Sequence, residues 1–103
     1  MIDLVAQKRE GIAEHCRRLN VRRLDVFGSA ARGDDFDPER SDVDFLVEFD
    51  KHERLNAFDQ YFDLAESLEA LFERKVDLVT ARSVTKPRFR ANLEATKEPV
   101  YVS

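Results

Sequence analysis

The stretch SDVDFLVEF, residues 41–49, carries the clearest strand signal in the chain. Its side chains alternate between two faces, and an alternation of this kind is typical of a strand that buries one face. One face holds Val43, Phe45, Val47 and Phe49, and the other holds Asp42, Asp44, Leu46 and Glu48. The pattern predicts a strand over Val43–Phe49, with an apolar face in the core and two carboxylates at the start of the opposite face.

On both sides of this strand the sequence predicts further helices and strands. Apolar residues at helical spacing, and a proline suited to a first helical turn, predict helices over 2–19 with an interruption at Gly11, over 55–74 and over 87–95. The remaining strands are predicted over 22–27, 76–80 and 100–102, and residues 28–41 as a loop with at most one helical turn. This order predicts an α/β (α+β) fold, a small mixed sheet of three to four strands with helices packed on one face.

The composition is that of one ordered domain with a highly charged surface. The chain has 103 residues, of which 17 are Lys or Arg and 21 are Asp or Glu, so the formal net charge is −4. This length predicts a single domain over 1–103 and leaves no room for a second folding unit. The negative charge argues against a protein that binds nucleic acid stably through bulk positive charge.

The cysteine content and the absence of long apolar runs indicate the cellular compartment in which the protein is expected. The single cysteine, Cys16, excludes an internal disulfide, so we expect a cytoplasmic protein. Residues 1–19 carry charges where a signal peptide would have an apolar segment. No run approaches the roughly 18 apolar residues of a membrane span, so no membrane partner is expected.

Two Asp-x-Asp pairs occur in the chain, and their contexts differ. Eleven aspartates among 103 residues give about one such pair by chance, so the pattern alone is weak. Asp35 and Asp37 belong to a proline-flanked loop, whereas Asp42 and Asp44 open the strand. Residues i and i+2 of a strand share a face about 6.5 to 7 Å apart, so the second pair can converge on one cation. Carboxylate oxygens suit Mg²⁺, and two such ions can bind both reacting oxygens of a phosphoryl transfer.

A third acid and a glycine-serine pair complete the candidate site. If the strand of Asp77 lies beside that of Asp44, its carboxylate joins the same face. Gly28 ends a predicted strand where the missing side chain lets a phosphate approach, and Ser29 offers a hydroxyl and an N–H. Arg32 follows one turn later, where it can meet phosphate charge. The sequence argues against a P-loop, because acids follow Gly33 where that motif needs Lys and then Ser or Thr.

These residues resemble the minimal nucleotidyltransferases of the DNA polymerase beta superfamily, and most closely the MNT-domain antitoxins that accompany HEPN-domain toxins. The resemblance is carried by VFGSAARGD (residues 26–34), SDVDFLVEF and the later aspartate. It implies a nucleotidyltransferase fold and a transfer of AMP from ATP, with two Mg²⁺ ions, to a tyrosine of a HEPN toxin. By resemblance, Gly28, Ser29 and Arg32 hold the triphosphate, Asp42 and Asp44 bind the metals, and Asp77 helps to activate the acceptor hydroxyl.

Several alternatives remain open at this stage. The domain could inhibit a toxin by occlusion without turnover, or transfer a nucleotide to a small molecule or an RNA end. The acids could be solvated strand ends, and Arg32 could pair with a neighbouring acid. The basic cluster Lys86, Arg88 and Arg90 could be a solvated face or a nucleotide contact, and the Phe-rich helix could be core or partly a docking surface.

Overall fold

The computed structural model describes residues 1–33 and 42–103. Its helices are α1 (Asp3–Gln7), α2 (Arg9–Arg18), α3 (Ser29–Arg32), α4 (Ala57–Phe72) and α5 (Pro87–Thr96). Its strands are β1 (Val21–Phe27), β2 (Val43–Phe49), β3 (Val76–Thr80) and β4 (Glu98–Val102), and a 3₁₀ turn covers Ala81–Ser83. The predicted bounds of β2 and β3 are confirmed residue for residue. The predicted loop contains one helical turn, α3, and its part over 34–41, with the pair Asp35 and Asp37, lies outside the described residues.

The four strands form one mixed sheet in the order β3-β2-β1-β4. Strand β1 is antiparallel to both of its neighbours, whereas β2 and β3 are parallel. A parallel pair needs a crossover connection, and α4 supplies it between β2 and β3. The predicted fold class, a small mixed sheet with packed helices, is therefore confirmed.

The main core lies between one face of the sheet and the helices α2 and α4. It buries the apolar face predicted for β2 together with α2 and α4 residues, among them Ile12, Cys16, Leu64 and Leu68. Gln60 of α4 is buried here too, and its amide donates to the carbonyls of Leu19 and Asp50 at 2.9 Å each. A buried polar group is tolerated when it is hydrogen-bonded in this way, and this one joins α4 to the ends of α2 and β2.

The opposite face of the sheet carries a second, smaller cluster beneath α5. It consists of Phe27, Leu46, Val84 and Leu93. Only Leu93 of α5 is buried, so this helix covers the sheet lightly. The predicted packing of the helices on one face therefore describes α2 and α4, whereas α5 lies on the other face. The second face therefore remains accessible beside α5, and it is the face that bears the acids of β2.

The N-terminal helix is divided at a different place from the predicted one. The sequence indicated an interruption at Gly11, but the division falls at Lys8, and Gly11 lies within α2. A Cβ at Gly11 would approach Leu71 of α4 to 3.1 Å, so this glycine permits close helix packing. The N–H of Ile2 donates to the carbonyl of Ala30 at 3.0 Å, which fixes the start of α1 beside α3.

The phenylalanines of α4 do not all belong to the core. Phe72 is buried, but Phe58 is 68% and Phe62 is 46% exposed, and their rings contact each other at 4.5 Å between centroids. Of the two interpretations that the sequence left open for this helix, core fits Phe72, whereas Phe58 and Phe62 belong to its exposed part. Within residues 1–33 and 42–103, none of the helices combines the length and the apolar character needed to cross a membrane.

Candidate active site

Asp44 and Asp77 lie side by side on neighbouring strands. The parallel register of β2 and β3 pairs Asp44 with Asp77, between the pairs Val43 with Val76 and Phe45 with Leu78. The flanking apolar residues point into the main core. Because side chains alternate along a strand, both carboxylates project from the opposite face. The condition set by the sequence, that the strand of Asp77 lies beside that of Asp44, is met.

Asp42 stands two residues before Asp44, immediately ahead of β2, and its side chain is exposed. Asp44 itself is half-buried. Burial, which is the largest cause, and the negative charges of Asp77 and Asp42 together raise the pKa of Asp44 to about 6. Like charges disfavour one another's ionisation, so this shift places the three acids within electrostatic reach of one another.

Gly28 brings its backbone against the carboxylate of Asp44. The residue before it, Phe27, is the cross-strand partner of Asp44. Gly28 has φ of 68° and ψ of −147°, a conformation that residues with a Cβ rarely adopt. A Cβ built on Gly28 would lie 2.8 Å from Oδ2 of Asp44. Both the conformation and the close approach of Asp44 therefore require glycine at this position.

Ser29 opens α3, a single helical turn directly after Gly28. The carbonyl of Gly28 accepts hydrogen bonds from the N–H groups of Ala31 and Arg32 at 3.1 Å each. Gly33 ends the turn with φ of 84°, in the left-handed region. Ser29 is half-buried and Arg32 is exposed at the last position of the turn. The turn thus places Ser29 at its first position and Arg32 at its last, directly after the glycine that lies against Asp44.

The acids of the candidate site carry oxygen ligands, the type that Mg²⁺ prefers. Among the residues that the structure describes, no group of three or more His, Cys, Asp or Glu side chains has an arrangement that could hold a metal ion. Mg²⁺ does not need such a cage, because it is commonly bound through one or two carboxylates, several waters and substrate phosphates. The adjacent carboxylates of Asp44 and Asp77 meet that requirement, and a divalent cation would offset their mutual repulsion. The residues therefore fit a magnesium site that a bound nucleotide completes.

Two features of the second face were not identified as site features from the sequence. Arg23 donates from Nε to both carboxylate oxygens of Asp25 at 3.0 Å, which allows Asp25 to be buried at the centre of the sheet. The ring of Phe89, on α5, contacts that of Phe27 with centroids 6.2 Å apart. The predicted strand placed Arg23, Asp25 and Phe27 on one face, but no periodic signal marked Phe89.

A cleft of about 910 Å³ lies at the other end of β2 and β3. Its lining includes Asp50, His52, Tyr61 and Arg82. These residues follow the carboxyl ends of the two strands or belong to α4, whereas Asp44 and Asp77 are near the amino ends. The cleft is therefore separate from the acids. We assign the candidate active site to the acids because of their chemistry, and not to the cleft.

Comparison with known proteins agrees with this geometry. The family described as polymerase beta, nucleotidyltransferase, matches residues 10–103. The chain belongs to this nucleotidyltransferase family. A Thermococcus cleftensis protein named protein adenylyltransferase MntA is 40% identical over 85 residues, which are 82% of this chain and 78% of that protein. The resemblance stated from the sequence is confirmed.

Solved structures give the same result for the nucleotidyltransferase fold. A candidate minimal nucleotidyltransferase is 34% identical, with a TM-score of 0.74, and the match covers 95% of this chain and 96% of that one. A complex of a tri-AMPylated Shewanella oneidensis HEPN toxin with an MNT antitoxin matches with a TM-score of 0.64 at 18% identity, covering 96% of this chain and 73% of that chain. The second match is a likeness of fold.

Proposed function

We propose that this nucleotidyltransferase transfers AMP from ATP, with Mg²⁺, to a tyrosine of a partner HEPN-domain toxin and so neutralises it as an antitoxin. The observation that carries the proposal is the in-register pair Asp44 and Asp77 with the backbone of Gly28 against Asp44. The relative from Thermococcus cleftensis, named as a protein adenylyltransferase, and the complex of an AMPylated HEPN toxin with an MNT antitoxin support the choice of nucleotide and acceptor.

Each site residue has a role in this proposal. Gly28 and Ser29 bind the triphosphate through the backbone and the hydroxyl, and Arg32 contacts its charge. Asp42, Asp44 and Asp77 would hold two Mg²⁺ ions together with the phosphates of the bound nucleotide, and these ions would supply positive charge against the triphosphate and the leaving pyrophosphate. Asp77 accepts the phenolic proton from the acceptor tyrosine. The tyrosine oxygen forms a bond to the α-phosphorus while the bond from that phosphorus to pyrophosphate breaks.

The compartment is part of the same proposal. ATP and a reduced thiol are both features of the cytoplasm, and Cys16 is a free cysteine buried in the core. Burial raises the pKa of this thiol to about 12, so it stays a packing residue without reactivity. We therefore propose that the protein acts in the cytoplasm.

The test mixes the purified protein with the product of a neighbouring HEPN-type gene, ATP and Mg²⁺, and measures the mass of the partner. We expect the partner to gain one or more AMP units, on a tyrosine identified by fragmentation. The double variant Asp42→Asn with Asp44→Asn should abolish the adduct. Asp59→Asn, which changes an exposed aspartate on α4, is the matched control and should leave the adduct in place. An active partner that acquires no AMP would contradict the proposal.

The same variants separate catalysis from occlusion. If the protein neutralises the toxin by covering it, the double variant should still do so at a stoichiometric ratio. If it acts by transfer, the wild type should neutralise an excess of toxin and the double variant should not. Toxin activity measured against the ratio of the two proteins distinguishes these outcomes.

A further inference from the structure

Phe89 is an exposed aromatic residue on the face of the sheet that bears the acids. Among the described residues, the phenylalanines with large exposure are Phe58, Phe62 and Phe89. The first two lie on α4, which packs against the other face. Phe89, which is 39% exposed, lies on α5 and contacts Phe27. Among the residues that the structure describes, it is therefore the exposed phenylalanine on the side of the candidate active site.

The contact with Phe27 fixes the position of Phe89 relative to the site. Phe27 is the cross-strand partner of Asp44 and directly precedes Gly28. Its side chain belongs to the cluster on the second face, together with Leu46 and Leu93. Only the ring of Phe27 therefore separates Phe89 from Gly28 and Asp44 along this series of contacts. We assign Gly28 to the triphosphate and Asp44 to the metal.

The geometry of the ring pair leaves a surface for stacking. The planes of Phe27 and Phe89 are 72° apart, which is an edge-to-face arrangement. In such a pair the Phe89 ring uses either an edge or one face for the contact. At least one face of Phe89 is thus not used by Phe27, in agreement with its exposure. A π face of this kind next to a phosphate site is suited to a planar nucleobase.

We propose that Phe89 is the stacking platform for the base of the nucleoside triphosphate. This proposal rests on the proposed function and adds to it the group that binds the base. Stacking on an aromatic ring accepts any of the bases, because every base has a π face. Phe89 therefore contributes affinity for the nucleoside part, while the residues around Gly28 bind the triphosphate common to all nucleotides.

A single tryptophan provides a direct readout. The chain contains no Trp, so Phe89→Trp introduces one fluorophore at the platform. We expect its emission to change on addition of ATP and Mg²⁺, and to change much less with inorganic tripolyphosphate. Phe58→Trp, at the exposed site on α4, is the matched control and should not respond to ATP. An unresponsive Phe89→Trp in a protein that binds ATP by calorimetry would overturn the proposal.

A second variant keeps the packing and removes the π face. Phe89→Leu retains an apolar contact with Phe27 and should unfold at nearly the wild-type temperature. We expect its dissociation constant for ATP, measured by calorimetry with Mg²⁺, to rise about five- to a hundredfold, while that for tripolyphosphate stays unchanged. Phe89→Tyr, which keeps the ring, should restore ATP affinity. A purely structural role would lower stability without separating the two ligands.

The outcomes also separate this proposal from the proposed function. If the wild type binds ATP but transfers nothing to the partner, the proposed function fails and the base platform stands. If Phe89→Leu binds ATP as the wild type does and only its KM for the partner rises, Phe89 contacts the acceptor and the base platform is wrong. If the wild type binds no ATP, both are wrong.

Discussion

Gly28 forms the backbone turn before α3 and lies against the carboxylate of Asp44. Replacing it with alanine should destabilise the protein, because its φ of 68° disfavours a Cβ and that atom would lie 2.8 Å from Oδ2 of Asp44. We expect a loss of about 1 to 3 kcal/mol in the free energy of unfolding, measured by urea denaturation, and a loss of nucleotide transfer.

Gly11→Ala is the control for this variant. Gly11 lies in α2, where the added Cβ would meet only the flexible side chain of Leu71. Alanine is also the better helix former by about 1 kcal/mol, so the variant should be close to neutral in stability. Equal losses for the two variants would contradict a special requirement at Gly28.

Asp44 should make stability depend on pH. Its pKa in the folded protein is about 6, against an ordinary value of 3.8. A raised pKa means that the folded state holds the proton more tightly than the unfolded state, so the contribution of Asp44 to stability is fully present below about pH 3.8 and is lost as pH rises through about 6. In the absence of metal, Asp44→Asn should therefore be more stable than the wild type above pH 6, by about 1 to 2 kcal/mol after screening by solvent.

This gain should shrink towards zero near pH 4, where Asp44 is protonated in the folded wild type. Urea denaturation at pH 4, 5, 6 and 7.5 measures it. Glu66→Gln, on the exposed side of α4, should give no pH-dependent gain of this kind. A constant difference for Asp44→Asn across the series would mean that burial and the neighbouring acids do not act on Asp44 as described.

At the scale of elements, α4 begins with a defined cap. The side chain of Asn56 accepts a hydrogen bond from the N–H of Asp59 at 2.8 Å. Asn56→Ala should cost about 0.5 to 2 kcal/mol in the free energy of unfolding, and Asn56→Asp should restore most of it. Urea denaturation checks both variants. If alanine and aspartate behave alike, the cap does not stabilise the helix.

The sequence was sufficient to predict strands β2 and β3. The alternation in β2 and the acid between apolar residues in β3 were sufficient for strand bounds and for the face of each side chain. Asp44 and Asp77 are neighbours because β2 and β3 pair in parallel, although the two residues are 33 positions apart in the chain. No local sequence pattern determines such a pairing. Phe89 was missed because α5 buries a single residue, Leu93, and so has little apolar periodicity to interpret.

At the scale of the whole molecule, the sheet joins distant parts of the chain. Strand β1 lies between β2 and β4, so the segment ending at Val102 pairs with residues near the start. We propose that residues 1–103 form one domain, as the length predicts, and we expect a single cooperative unfolding transition. Calorimetry should give equal calorimetric and van't Hoff enthalpies. Two separable transitions would contradict this.

The separation of the two faces has a consequence for adaptation. The large apolar cluster with α2 and α4 lies on one side of the sheet, and the acids of β2 and β3 and helix α5 lie on the other. Substitutions in the outer surface of α5 remove little of the packing that maintains the fold. Affinity for the nucleotide can therefore diverge among relatives, or be redesigned in the laboratory, by exchanging this one helix surface at small thermodynamic cost.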